Sequence, residues 1–250
     1  MHTTSSRNSS LLALAGSLGL GIALTASPAV AQQQIPGTPY LALIEDNHTW
    51  VPLANPTVAV DTTNYFQNYT EDVSLPFSFK YYSGTVDEVT IGAGVVFMEG
   101  FGGTPWYFNT GYGSFTPNRY IAPYWDYSEY TSGGGAMYEV IGRAPSRQFA
   151  IEWRNVRNGL SNSGNLNFQV RLYEGLSGRV DVIYGPSTSP TFEYGYTMAM
   201  EDENGGNIIN FAGNNCTTSC NFTQFDARVL HERQPTPDVG VELGEVTARG

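Results

Sequence analysis

The sequence predicts an all-β chain: a single antiparallel β-sandwich, with jelly-roll or immunoglobulin-like layering and long loops rich in Gly and Tyr. Three observations predict it. Several segments alternate apolar and polar residues with period two. No stretch beyond the N-terminal apolar run keeps a helical period over a helix-length window. Gly, Pro, Asn and Ser punctuate the chain at short intervals.

Residues 1–31 read as a signal peptide. Arg7 precedes an uncharged apolar run over 11–31, and Ala29, Val30 and Ala31 give the small-x-small pattern of a cleavage site before Gln32. No second apolar span of that length follows, so no integral membrane segment is expected after cleavage. Residues 32–39, QQQIPGTP, read as a flexible leader and 40–225 as the sandwich domain. Residues 226–250 read as a final strand or polar tail, because prolines and charges replace aromatics there.

The clearest strand is 166–174, LNFQVRLYE. Leu166, Phe168, Val170 and Leu172 fall on one face, with Asn167, Gln169, Arg171 and Tyr173 on the other. Segment 147–156 repeats the pattern through Phe149, Ile151 and Trp153, and 178–185 through Val180, Val182 and Tyr184. These alternating sets predict a core containing Phe149, Trp153, Phe168, Leu172 and Tyr184. Further strands are expected in 73–79, 87–100, 136–142, 193–201 and 207–211. The last two flank DENGG (202–206), whose Asn-Gly pair predicts a hairpin with both residues at positive φ.

Composition narrows the chemistry. Asp plus Glu number 23 against 12 Lys plus Arg, so phosphate backbones are repelled and nucleic acid is not an expected partner. Lys80 is the only lysine, which disfavours Schiff-base and phosphoryl-transfer chemistry. His48 and His231 are the only histidines after the signal peptide, too few for a histidine-rich zinc site. Neither a G-x-S-x-G elbow nor a P-loop occurs. Cys216 and Cys220, in NNCTTSC, follow an export signal and are expected to form a disulfide. So short a loop would add only about 2 kcal/mol. A redox or metal pair is the competing reading, but a metal would need two further ligands.

Carboxylates remain. Two of them suffice for a glycosidase, and the candidates are Asp126, Glu129, Glu152, Asp181, Glu201, Asp202 and Glu203. Glu152 and Asp181 alternate outward on strands and read as surface residues, Glu152 beside Arg154 and within reach of Arg171. Asp202, Glu203 and Asn204 form a weak Ca²⁺ candidate without the D-x-[DN]-x-[DN]-G spacing; no other cofactor is indicated. In IAPYWDYSEY (121–130), Trp125 is expected to fill the core between sheets, with Asp126 accepting backbone N–H bonds in a turn.

Three segments in order, IAPYWDY (121–127), FAIEWRNV (149–156) and NLNFQVRLYEGLSGRVDVIYG (165–185), resemble the nidogen-type extracellular (NIDO) domain. The same string is similar to a module of secreted bacterial proteins. The resemblance implies an extracellular β-sandwich used in adhesion or matrix assembly, and no catalytic residue. The animal domain carries a second acidic residue soon after Trp-Asp, whereas here Tyr127 and Ser128 intervene before Glu129.

Together these readings point away from an enzyme. They suggest a secreted, periplasmic or cell-surface module that binds a protein, matrix or glycan ligand, or itself. Trp106, Tyr107 and Tyr112 of the Gly/Tyr-rich loop, with Tyr127, Asp126 and Glu129, are its candidate contact residues. A carbohydrate-binding or carbohydrate-active protein using a carboxylate pair is one alternative, and a surface-fibre subunit is another.

Overall fold

Alternation along the chain becomes two stacked antiparallel sheets. A computed structural model describes residues 31–34, 40–44, 50–61, 69–100, 116–175, 178–188, 196–210 and 227–231. Among these there are fourteen strands, and no helix long and apolar enough to cross a membrane. One sheet holds β1 (Ala31–Gln34), β2 (Tyr40–Ile44), β3 (Thr57–Asp61), β8 (Ser128–Ile141), β9 (Gln148–Asn158), β10 (Ser163–Tyr173), β11 (Val180–Tyr184) and β14 (Ala227–His231). Its eight strands run in the order β1-β2-β14-β11-β10-β9-β8-β3. The other holds β4 (Glu71–Tyr81), β5 (Gly84–Ile91), β6 (Val96–Phe97), β7 (Tyr120–Trp125), β12 (Thr197–Glu201) and β13 (Ile208–Asn210). Its six strands run β13-β12-β7-β6-β5-β4. The sheets are not closed into a barrel, so the fold is an all-β sandwich.

The inner faces follow the period-two reading. Leu166, Phe168, Val170 and Leu172 of β10 are buried between the sheets with Phe149, Ile151 and Trp153 of β9 and Val180, Val182 and Tyr184 of β11. Across from them lie Val73, Leu75, Phe77, Phe79 and Tyr81 of β4. Each such side chain contributes about 1.5–3 kcal/mol by leaving water. Two side chains also tie the sheets by hydrogen bonds. Trp153 Nε1 donates to Gly92 O at 2.7 Å, and the Tyr184 hydroxyl donates to Pro123 O at 2.6 Å.

Trp125 is not in that core. A bulge interrupts β7, where Trp125 pairs with Thr197 but Ala122 pairs with Ala199, so Pro123 and Tyr124 oppose Met198 alone. The bulge falls at Pro123, which has no N–H to lose. It turns Tyr124 inward and Trp125 outward. Trp125 is buried in a second cluster with Val95, Phe97, Tyr120 and Ala122, on the far side of the six-stranded sheet.

A second line of irregularity bends the larger sheet. β8 carries extra residues between Tyr130 and Gly135 opposite Val156 and Arg154, and β9 carries one between Trp153 and Val156 opposite Phe168 and Leu166. Asn155 sits there at φ 51°. Asn tolerates that region better than most residues, and Asn167 Oδ1 accepts its N–H at 3.1 Å. The Asn-Val of FAIEWRNV and an Asn of NLNFQV are thus the two halves of one bulge.

Two sequence expectations change. The 202–206 hairpin exists, with Glu201 pairing Ile208, but only Gly205 takes positive φ (67°). The turn is wider than an Asn-Gly two-residue loop because Asp202 organises it: Oδ1 accepts the N–H of Asn204 at 3.1 Å and of Gly206 at 2.9 Å. Likewise, part of the segment read as a leader is strand. Gln32–Gln34 pair with Leu41–Leu43, and backbone pairing at a sheet edge needs no side-chain signal.

Candidate functional site

The Trp-Asp segment is the point where the chain leaves one sheet for the other. β7 ends at Trp125 in the six-stranded sheet, and β8 begins at Ser128 in the eight-stranded one. Asp126 makes this corner. Its carboxylate accepts the N–H of Tyr127 at 2.7 Å, the hydroxyl of Tyr124 at 3.1 Å and the Nδ2 of Asn158 at 2.6 Å. All three donors are uncharged, and Asp126 is only 3% exposed. Burial raises its pKa above the ordinary aspartate value, and the three hydrogen bonds only partly offset this. Burial also raises the Tyr124 hydroxyl, with the Asp126 charge adding to it.

Asn158 ends β9 and extends the network. Its Oδ1 accepts the N–H of Ser161 at 2.8 Å and the Ser161 hydroxyl at 3.1 Å. Next to it, Gly159 donates its N–H to Tyr127 O at 2.7 Å. A methyl at 159 would lie 2.5 Å from the Tyr127 ring and 2.7 Å from the Glu129 carboxyl carbon, so a larger residue there must displace both side chains. Glu129 in turn accepts Nε and Nη2 of Arg157 at 3.1 and 2.9 Å. Tyr127, Asp126 and Glu129 therefore lie at one corner, where each carboxylate is held by protein donors. Sequence reading did not single out Asn158. The available signal was RNGLS, an Asn followed three residues later by a Ser that its side chain can cap.

The other acids lie elsewhere. Glu152 is not an ordinary surface residue: it is 0% exposed. Residues 50–55 cross the outer face of the larger sheet and bury it. Glu152 Oε2 accepts the Leu53 N–H at 2.8 Å and Gln169 Nε2 at 2.5 Å, and Oε1 pairs with Arg154. Arg154 also reaches Leu53 O at 2.9 Å, Gln169 reaches Val51 O at 2.8 Å and Glu139 accepts the Asn55 N–H at 3.1 Å. Arg171 pairs with Gln169 rather than with Glu152. Asp181 is 1% exposed and bound by Arg179 at 2.6 Å, Arg228 at 3.2 Å and the Tyr173 hydroxyl at 2.7 Å. Burial pushes its pKa up, but Arg179, Tyr173 and Arg228 outweigh burial and hold it below the usual value.

Glu201 is buried in β12. Asp202 spends its carboxylate on the turn, taking Asn207 Nδ2 at 2.5 Å as well, and Glu203 accepts the Ser83 hydroxyl. Among the described residues no group of three or more His, Cys, Asp or Glu is placed to hold a metal ion. Trp106, Tyr107, Tyr112, Cys216 and Cys220 lie outside the described residues.

No curated protein and no solved structure matches the chain. A family model described as NIDO related matches residues 41–236, which takes in both sheets from β2 to β14. The corner built on Asp126, the paired asparagines of the bulge and the Trp153 sheet-to-sheet bond all fall inside that span, and the chain belongs to the NIDO-related family.

Proposed function

We propose that this domain is a secreted, non-enzymatic module of the cell surface or extracellular matrix, acting by binding or by structural assembly. The family suggests an extracellular β domain. The observation that carries the rest is the commitment of the acids. Asp126, Glu129, Glu152, Asp181 and Asp202 each accept at least two hydrogen bonds from their own protein. A glycosidase instead needs two carboxyl groups facing a shared sugar site. Asp126 and Glu129, the pair within the Trp-Asp segment, serve a corner and an ion pair. The contact surface is assigned to the Gly/Tyr-rich segment containing Trp106, Tyr107 and Tyr112, whose rings offer large contact area at low entropic cost.

Immobilised matrix proteins and a glycan array, probed with the purified domain, test this reading. Retention without product, weakened by Trp106→Ala with Tyr107→Ala, is the expected result. Release of sugar product that disappears in Asp126→Asn or Glu129→Gln would show an enzyme and end the proposal. Fractionation of producing cells tests secretion, and finding the chain in the cytosol would contradict it.

A further inference from the structure

Two Asn-Gly pairs occur in the chain, Asn158–Gly159 and Asn204–Gly205, and the fold treats them in opposite ways. Asn-Gly is the dipeptide most open to attack by a backbone nitrogen on the preceding side-chain amide, because glycine has no Cβ to shield that nitrogen. At Asn158 both reacting groups are occupied. The side-chain amide is held by Asp126 at 2.6 Å and by Ser161 N at 2.8 Å, the Gly159 N–H is spent on Tyr127 O at 2.7 Å, and Asn158 is 1% exposed. At Asn204 the side chain is not so held, and the buried Gly205 N–H is held only by a long bond. The residue is exposed, and its hydrogen bond comes from its backbone N–H, to Asp202 Oδ1 at 3.1 Å, which leaves the side-chain amide free to turn. The Gly205 N–H reaches Asp202 O only at 3.4 Å, the limit of a hydrogen bond.

We propose that Asn204 is a self-modification site, converted to aspartate and isoaspartate through its Gly205 neighbour while Asn158 is protected. A bond forms between the Gly205 nitrogen and Asn204 Cγ. The Cγ–Nδ2 bond breaks, and ammonia leaves with the proton from the Gly205 nitrogen. Water then opens the five-membered imide. Opening at Cγ gives aspartate, and opening at the backbone carbonyl gives isoaspartate. The sum is amide plus water to carboxylic acid plus ammonia, with no oxidant or cofactor. Either product adds a carboxylate beside Asp202 and Glu203. Isoaspartate also inserts a methylene into the backbone between Asp202 and the Gly206 N–H that it caps.

The test is peptide mapping of the full chain after incubation in mildly alkaline buffer, folded in one arm and in urea in the other. Mass change and isoaspartate content are read at both sites. In the folded arm the Asn204 peptide should convert at least about tenfold faster than the Asn158 peptide, the ratio set by opening even one buried hydrogen bond. In urea the two should convert at similar rates. Equal rates in the folded arm would overturn the proposal. So would an Asn204 that stays intact when folded while converting in urea.

Discussion

Asp126 is a carboxylate stabilised by neutral donors in a dry corner, and this fixes what its substitution does. Asp126→Ala removes the acceptor for the Asn158 amide and the Tyr127 N–H, and should cost about 1–3 kcal/mol in urea unfolding. Its pH behaviour is separable from that of the other acids. A carboxyl whose folded-state pKa is raised holds its proton more tightly when folded, so it favours folding as pH falls through the carboxylate range. Asp181 and Glu174 act in the opposite sense. Hydrogen bonds from Arg147 lower Glu174 from 4.5 to about 2, so the stability it gives above its unfolded pKa is lost as pH falls through that window. Asp181 and Glu174 therefore withdraw stability on acidification while Asp126 opposes the loss. Asp126→Asn removes the opposition, and unfolding measured across a pH series should fall more steeply for the variant. Identical pH profiles would show that Asp126 titrates as it does in the unfolded chain.

At the scale of the element, the 50–55 segment is a strap fastened by side chains rather than by a ladder. Glu152, Gln169, Arg154 and Glu139 hold its backbone from three neighbouring strands. Glu152→Ala leaves the Leu53 N–H without its acceptor and Arg154 without its carboxylate. The expected cost is about 3 kcal/mol, less than for a fully buried pair because Arg154 stays 30% exposed. Hydrogen exchange should locate the damage. The Leu53 amide should lose protection while those of Ile151 and Val170 keep theirs; uniform loss across β9 and β10 would place Glu152 in the global core instead. The strap also accounts for the surface reading of Glu152. Alternation reports which face a residue is on, and a crossing segment decides whether that face is wet.

At the scale of the whole molecule, the chain visits each sheet more than once. β4 to β7 build one layer in sequence order, β8 to β11 the other, β12 and β13 return to the first and β14 to the second. β14 lies between β2 and β11, pairing Val229 with both Ala42 and Val180. The last strand among the described residues is therefore internal. Deleting residues 227–250 opens two strand edges at once and detaches β1 and β2 from the sheet. The truncated chain should lose cooperative thermal unfolding and its β-sheet circular dichroism, whereas an unchanged melting curve would show that β14 contributes no stability.

By itself the sequence determined the class, the central strands β9, β10 and β11 and their inward faces, but not the edge strands β1 and β3 or the break between β5 and β6. Leu166 to Leu172 and Phe149 to Trp153 follow period two, and in a sheet a period-two apolar stripe turns to one face, here the face between the sheets. The NIDO-type resemblance came from the same local strings. What only the tertiary structure decided concerns contacts between distant segments. A one-residue bulge at Pro123 sent Trp125 to the outer cluster, since adding one residue reverses every later side chain. The strap turned Glu152 from surface to interior, and the Asn158 amide, 32 residues from Asp126, closed the corner that the Trp-Asp motif only begins. Burial depends on what crosses over a strand, and no local pattern along that strand encodes it.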